Sequence, residues 1–135
     1  MKTREDIVKK FHEAFDAYIN TKPTAKLLKL RKTLIDEEVK ELFADIDKAI
    51  SYIESGKKVP KAIYANMLKE MADLQVVLSG MSVAFKPLQN FDKAFKLVHA
   101  SNMSKLGKDG KPILREDGKI LKGPNYFEPD LSDLI

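Results

Sequence analysis

Four stretches of apolar residues at three- and four-residue spacing predict an all-α protein. The expected form is a four-helix-bundle-like core followed by a short C-terminal β-hairpin and extended tail. Breakers separate the stretches at Lys22-Pro23, Ser55-Gly56 and Pro87. With 135 residues, one domain spanning 1–135 is expected: a helical core over about 4–105, then a basic hairpin and tail over about 106–135. That length buries a core without cross-links. The chain has no cysteine, which excludes disulfides, thiolate metal sites and a cysteine nucleophile.

The first predicted helix, about 4–20, carries Ile7, Phe11, Ala14/Phe15 and Tyr18 on one face. Lys22-Pro23-Thr24 interrupts it, and Thr24 is a suitable cap for a second helix over about 25–55. Leu28, Ile35, Val39, Leu42, Ile46, Ile50 and Ile53 form its stripe. Gly56 is placed to end it in the left-handed conformation. The third helix starts near Pro60 and runs to about Phe85 through Ile63, Met67, Leu74, Val77 and Met81. A fourth, over about 88–105, uses Leu88, Phe91, Phe95 and Val98. Beyond Gly107, Ile113-Leu114-Arg115 and Lys119-Ile120-Leu121 flank Glu116-Asp117-Gly118, the signature of a short hairpin.

The net charge of +4 is unevenly spread: Lys86 to Gly123 holds nine Lys/Arg against four Asp/Glu. Such an excess attracts phosphates, on nucleic acid or on a small nucleotide. No phosphate-binding Gly-x-x-x-x-Gly-Lys loop is present, and no zinc-finger or RNP pattern makes nucleic acid the expected partner. The charged start Met1-Lys2-Thr3-Arg4-Glu5-Asp6 lacks a signal-peptide core. No apolar run approaches a membrane span, so a cytoplasmic protein is expected.

Five acids on two predicted helices carry the chemistry: Glu37-Glu38-x-x-Glu41 and Glu70-x-x-Asp73. Spacings of three and four place each set on one helix face. Glu70 falls within the apolar series Ile63, Met67, Leu74, and Glu38 lies between Ile35 and Leu42. Carboxylates turned inward are costly unless paired or bound to a cation. An all-oxygen set favours Mg²⁺, with Mn²⁺ as a substitute. The structural alternative is neutralisation by Arg31 or Lys69 across helices. Asp45 and Asp47 read as solvated acids. A di-iron carboxylate site is excluded because His12 and His99 follow Lys9 and Lys96 rather than glutamate at the required spacing. In the basic third, Asn102 and Lys105 share a helix face. Their types suit a phosphate or base edge, although on spacing alone C-terminal capping explains them better. Lys122 and Tyr126 lie in a segment able to close over a nucleotide.

The spacing Glu37-Glu38-x-x-Glu41, then Glu70-x-x-Asp73, resembles the EExxE…ExxD signature of the all-α nucleoside triphosphate pyrophosphohydrolases. Leu34 to Leu42 and Lys69 to Leu74 carry the match. Ser101-Asn102-Met103-Ser104-Lys105, with Lys119 to Tyr126, is similar to the MazG-like branch typed as phosphoribosyl-ATP pyrophosphohydrolase-like. The resemblance implies Mg²⁺-dependent hydrolysis of a (deoxy)nucleoside triphosphate to the monophosphate and pyrophosphate. Glu38, Glu41, Glu70 and Asp73 would hold metal, and Glu37 would orient or deprotonate water. Asn102, Lys105, Lys122 and Tyr126 would contact substrate, in a homodimer or higher homo-oligomer. The alternatives are a phosphoribosyl-ATP pyrophosphohydrolase and a non-enzymatic helical module that binds nucleic acid or a partner.

Overall fold

The computed structural model describes residues 2–135 and is all-α. The chain divides into two compact units, one ending at Lys86 and one covering Pro87–Ile135. The first holds α1 (Arg4–Ala14), α2 (Ala25–Glu54) and α3 (Lys61–Ala84), with α3 packed against both α1 and α2. The second holds α4 (Phe91–Met103). Among the described residues, no helix is long and apolar enough to cross a membrane.

Thr3 starts α1 through a capping box. Its Oγ1 accepts from the Asp6 amide at 3.1 Å, and the Asp6 carboxylate accepts from the Thr3 amide at 3.0 Å. The helix stops at Ala14, short of the expected end near 20. Asp16 and Asn20 take left-handed backbone conformations, φ 53° and 50°, which no α-helix continues through. Beyond the break the backbone bonds elsewhere: the Asn20 and Thr21 amides donate to Val83 and Ala84 carbonyls at 2.8 Å, and Lys86 donates to Thr21. Tyr18 therefore lies in a loop fastened to the end of α3.

Thr24 caps α2 as expected, accepting from the Leu27 amide. Gly56, at φ 69°, follows its C-terminal end. Ala49, Val59 and Ile63 form a buried cluster, with Tyr52 and Met67 packed against it. Phe85 is fully buried. Between α1 and α3, Ser79 Oγ donates to Glu5 Oε2 at 2.5 Å and accepts from Gln75. Asp45 corrects the expectation of a solvated acid: it is buried, with Lys48 Nζ 3.8 Å away. It continues the Glu38–Glu41 face by one further turn of α2. Asp47 is exposed, as expected.

A 3-10 turn at Lys86–Leu88 delays α4 to Phe91. The helix closes at Ser104, whose amide donates to the Ala100 carbonyl. Ser101 is buried and donates to the Phe127 carbonyl, tying the tail to α4. The expected hairpin is not a β-element. Only an isolated antiparallel bridge, Leu114 to Ile120, joins its arms. The turn is present, with Arg115 N donating to Lys119 O and Leu121 N to Ile113 O at 2.8 Å. Both arms are short, and Ile113, Leu114 and Ile120 are exposed. A two-stranded ribbon with no buried face lacks what stabilises a longer ladder.

Candidate active site

The groove between α2 and α3 collects the acidic residues. One carboxylate oxygen from each of Glu38, Glu41 and Glu70 lies within 4.8 Å of the others. Two turns of geometry explain this: Glu38 and Glu41 are neighbours on α2, and Glu70 faces them from α3. Glu70 is only 9% exposed. Glu38 Oε2 and Glu70 Oε2 are covered and lack hydrogen-bond partners. Buried acceptors without donors are rare and require an explanation.

The electrostatics agree with crowding. A hydrogen bond shared with Glu41, then burial, then repulsion from Glu41 raise the Glu70 pKa to about 7. Burial raises Glu38 as well, aided by the Glu41 and Asp73 charges. Lys69 supplies the internal counter-charge, with its ammonium 2.7 Å from Asp73 Oδ2 and 3.9 Å from Glu70 Oε1. Lys69 is exposed, and its pair with Asp73 adds little stability in water. It leaves the covered Glu38 and Glu70 oxygens unpaired. Arg31, the other suggested partner, is engaged elsewhere, donating through Nη2 to the Val77 carbonyl at 2.9 Å.

Of the five acids, three converge. Asp73 lies near enough to raise Glu38 but is held by Lys69. Glu37 is exposed on α2 beside Glu38, outside the three-carboxylate group. In the second unit Lys122 and Tyr126 come together, the ammonium 4.8 Å from the ring centroid. Asn102 is exposed in the last turn of α4. Lys105 follows the C-cap, its amide donating to the Asn102 carbonyl and its carbonyl accepting from Gly123.

The donor set suits a hard cation: three carboxylates, two of them with covered, unpartnered oxygens, and no nitrogen or sulfur donor among them. A family model described as phosphoribosyl-ATP pyrophosphohydrolase matches residues 8–102. The chain belongs to the phosphoribosyl-ATP pyrophosphohydrolase family. That family is related to the MazG-like all-helical nucleoside triphosphate pyrophosphohydrolases, hydrolases acting on phosphoric anhydrides. The family match contains all five acids and Asn102, whereas Lys105, Lys122 and Tyr126 fall beyond it. No curated protein matches the chain.

Sequence reasoning passed over one feature near this groove. Arg31 and the buried His12 meet α3 at Gly80, where a Cβ would overlap Arg31 Nη2 and lie 3.1 Å from His12 Nε2. A glycine inside an otherwise regular helix, opposite a charged residue, is the signal that points to such a close approach.

Proposed function

We propose that the protein hydrolyses a (deoxy)nucleoside triphosphate to the monophosphate and pyrophosphate with Mg²⁺, or Mn²⁺ in its place. The observation that carries this reading is the Glu38–Glu41–Glu70 group with its covered, unpartnered oxygens. When bound there, the cation would supply positive charge to phosphate oxygens and make water a better acid. Glu38, Glu41 and Glu70 are its ligands. Asp73 joins them once Lys69 releases it, a small cost for an exposed pair. Glu37, exposed beside Glu38, takes the proton from the attacking water. As oxygen bonds to phosphorus, the phosphoanhydride bond breaks and pyrophosphate leaves with the bonding electrons. Asn102, Lys105, Lys122 and Tyr126 are proposed substrate contacts.

The family description favours a second substrate, phosphoribosyl-ATP, which undergoes the same cleavage. A homo-oligomer is also part of the proposal. Ile7, Phe11 and Phe15 on and just beyond α1 are 58%, 51% and 72% exposed, and Leu68 on α3 is 68% exposed. Apolar side chains left in water at this density favour burial against another copy.

The test is turnover of each NTP, dNTP and phosphoribosyl-ATP with Mg²⁺, scored by chromatography of the products. Monophosphate with pyrophosphate is expected. Inorganic phosphate as the product, or no turnover of any of them, overturns the reading.

A further inference from the structure

Three contacts set the register of α2 against α3. Near the connection between the helices, Ala49 of α2 clusters with Val59 and with Ile63 of α3. Further along, Glu38 and Glu41 meet Glu70. Beyond these, Arg31 Nη2 donates to the Val77 carbonyl at 2.9 Å. The α3 partners advance from 63 to 70 to 77 as the α2 partners recede, so the helices run antiparallel. Seven residues are close to two turns, about 10 Å, so each α3 partner returns to the same face. The carboxylates therefore lie midway between an apolar clamp and a polar one.

The middle contact is the repulsive one. Oxygens of Glu38, Glu41 and Glu70 lie within 4.8 Å, and Asp73 adds its charge at Glu38. Like charges this close push the helices apart unless both flanks hold. One flank is closed by the short connection 55–60 and its apolar cluster. On the other, the Asn20 and Thr21 amides bond to the end of α3, and Arg31 reaches across two turns closer to the acids.

Arg31 is a costly side chain for packing alone. It is half-buried, forms no ion pair among the described residues, and its covered Nε has no acceptor. Burial lowers its pKa. An apolar residue would fill the same space beside Leu27, Leu30 and Leu34 without that penalty. What the guanidinium adds is direction, a rigid planar donor aimed at one carbonyl. The facing helix is shaped to receive it. A Cβ on Gly80 would overlap Arg31 Nη2, and the buried His12 packs at the same glycine.

We infer that Arg31 is a positioning residue: by tying α2 to Val77 of α3, it holds Glu38, Glu41 and Glu70 at the separation a small divalent cation needs. Mg²⁺ demands near-ideal octahedral geometry at short bond lengths, so a groove that springs open loses it first. The tie keeps mutually repelling ligands together before the cation arrives. The inference rests on the reading of the carboxylates as a cation site. Charge alone predicts the opposite effect. Arg31 lies about 10 Å from Glu38 along α2 and repels a cation, so electrostatics would have its removal tighten binding.

Mg²⁺ and Ca²⁺ are titrated calorimetrically into the metal-free full-length protein and its variants, at a temperature where circular dichroism shows each to be folded. Arg31→Met should weaken Mg²⁺ binding about 10- to 100-fold, the range typical when groups that orient metal ligands are removed. Ca²⁺ should lose less, because it accepts longer bonds and irregular geometry. Gly80→Ala keeps the charge but pushes the guanidinium off Val77, so it should weaken Mg²⁺ in the same sense, and it carries the test if Arg31→Met does not fold. Arg31→Lys keeps a donor and should recover most of the affinity. Unchanged or tighter Mg²⁺ binding in Arg31→Met or Gly80→Ala, as a merely stabilising contact would give, overturns the positioning role and leaves the carboxylate reading standing. Equal loss for both ions also overturns it. A wild-type protein that binds neither ion overturns both readings.

Discussion

Gly80→Ala sets two effects of opposite sign against each other. Gly80 lies inside α3, where alanine is the better helix former by about 1 kcal/mol. Propensity alone therefore predicts a more stable protein. The new Cβ, however, overlaps Arg31 Nη2, and the guanidinium has little freedom to yield because that nitrogen donates to the Val77 carbonyl at 2.9 Å. Moving Arg31 aside sacrifices a hydrogen bond from a charged donor, worth about 1.5–3 kcal/mol. The net expectation is destabilisation by about 0.5–2 kcal/mol. Urea unfolding at fixed pH measures it as a lower midpoint with an unchanged slope. Removing the guanidinium first should reverse the sign: in an Arg31→Met background, Gly80→Ala should stabilise by up to about 1 kcal/mol. Wild-type-like or greater stability of Gly80→Ala alone would refute the packing argument. An additive double-mutant cycle would do the same.

Three further outcomes follow from the carboxylate groove and the core. Mg²⁺ should raise the melting temperature, by the equivalent of about 2.7 kcal/mol at one hundred times its Kd, and Glu70→Gln should abolish most of that gain without loss of helicity. A Glu70→Gln protein that responds to Mg²⁺ as the wild type does would remove Glu70 from the ligand set. Without metal, stability should fall as pH rises from about 4.5 to 7. The Glu70 pKa is raised to about 7 by its hydrogen bond with Glu41 and by burial, so the folded state holds a proton that the unfolded chain has released. That contribution is complete below the unfolded value and lost as pH passes through the folded one. Glu70→Gln should flatten the slope measured by chemical denaturation, and an unchanged slope counts against this origin. Phe85→Ala should cost about 3–5 kcal/mol in urea unfolding, since the ring is fully buried and leaves a cavity. A loss below about 1 kcal/mol would mean that the loop at Thr21 collapses into the space.

The long helices were legible because their signals are local. Thr24, Gly56 and the stripes of α2 and α3 act within a turn or two of the residues they organise. The inward turn of Glu38 and Glu70 was legible for the same reason, each being embedded in an apolar series. What the sequence hid depends on partners distant along the chain. The end of α1 is set by amides that bond to Val83 and Ala84, more than sixty residues away. Asp45 looks like any helix acid in the sequence, and only the fold shows that it is buried. The hairpin pattern at Ile113–Leu121 had correct turn chemistry but no surface to pack on, and a turn alone does not make a sheet.

Arg31 shows how these two kinds of information combine. From sequence it was a candidate counter-ion for the acids across helices. The structure instead turns it to Val77 and Gly80, so its charge is not used to neutralise the carboxylates. Two consequences follow from that one placement. Glu38 Oε2 and Glu70 Oε2 remain without a donor, as acceptors that a divalent cation could use. The guanidinium forms no ion pair among the described residues and rests on the Val77 carbonyl instead. Had Arg31 bridged to Glu38, both needs would have been met internally, and the groove would be a stable structural ion pair with nothing left to bind. Keeping Arg31 away from the carboxylates is what a groove meant to take up a cation would require.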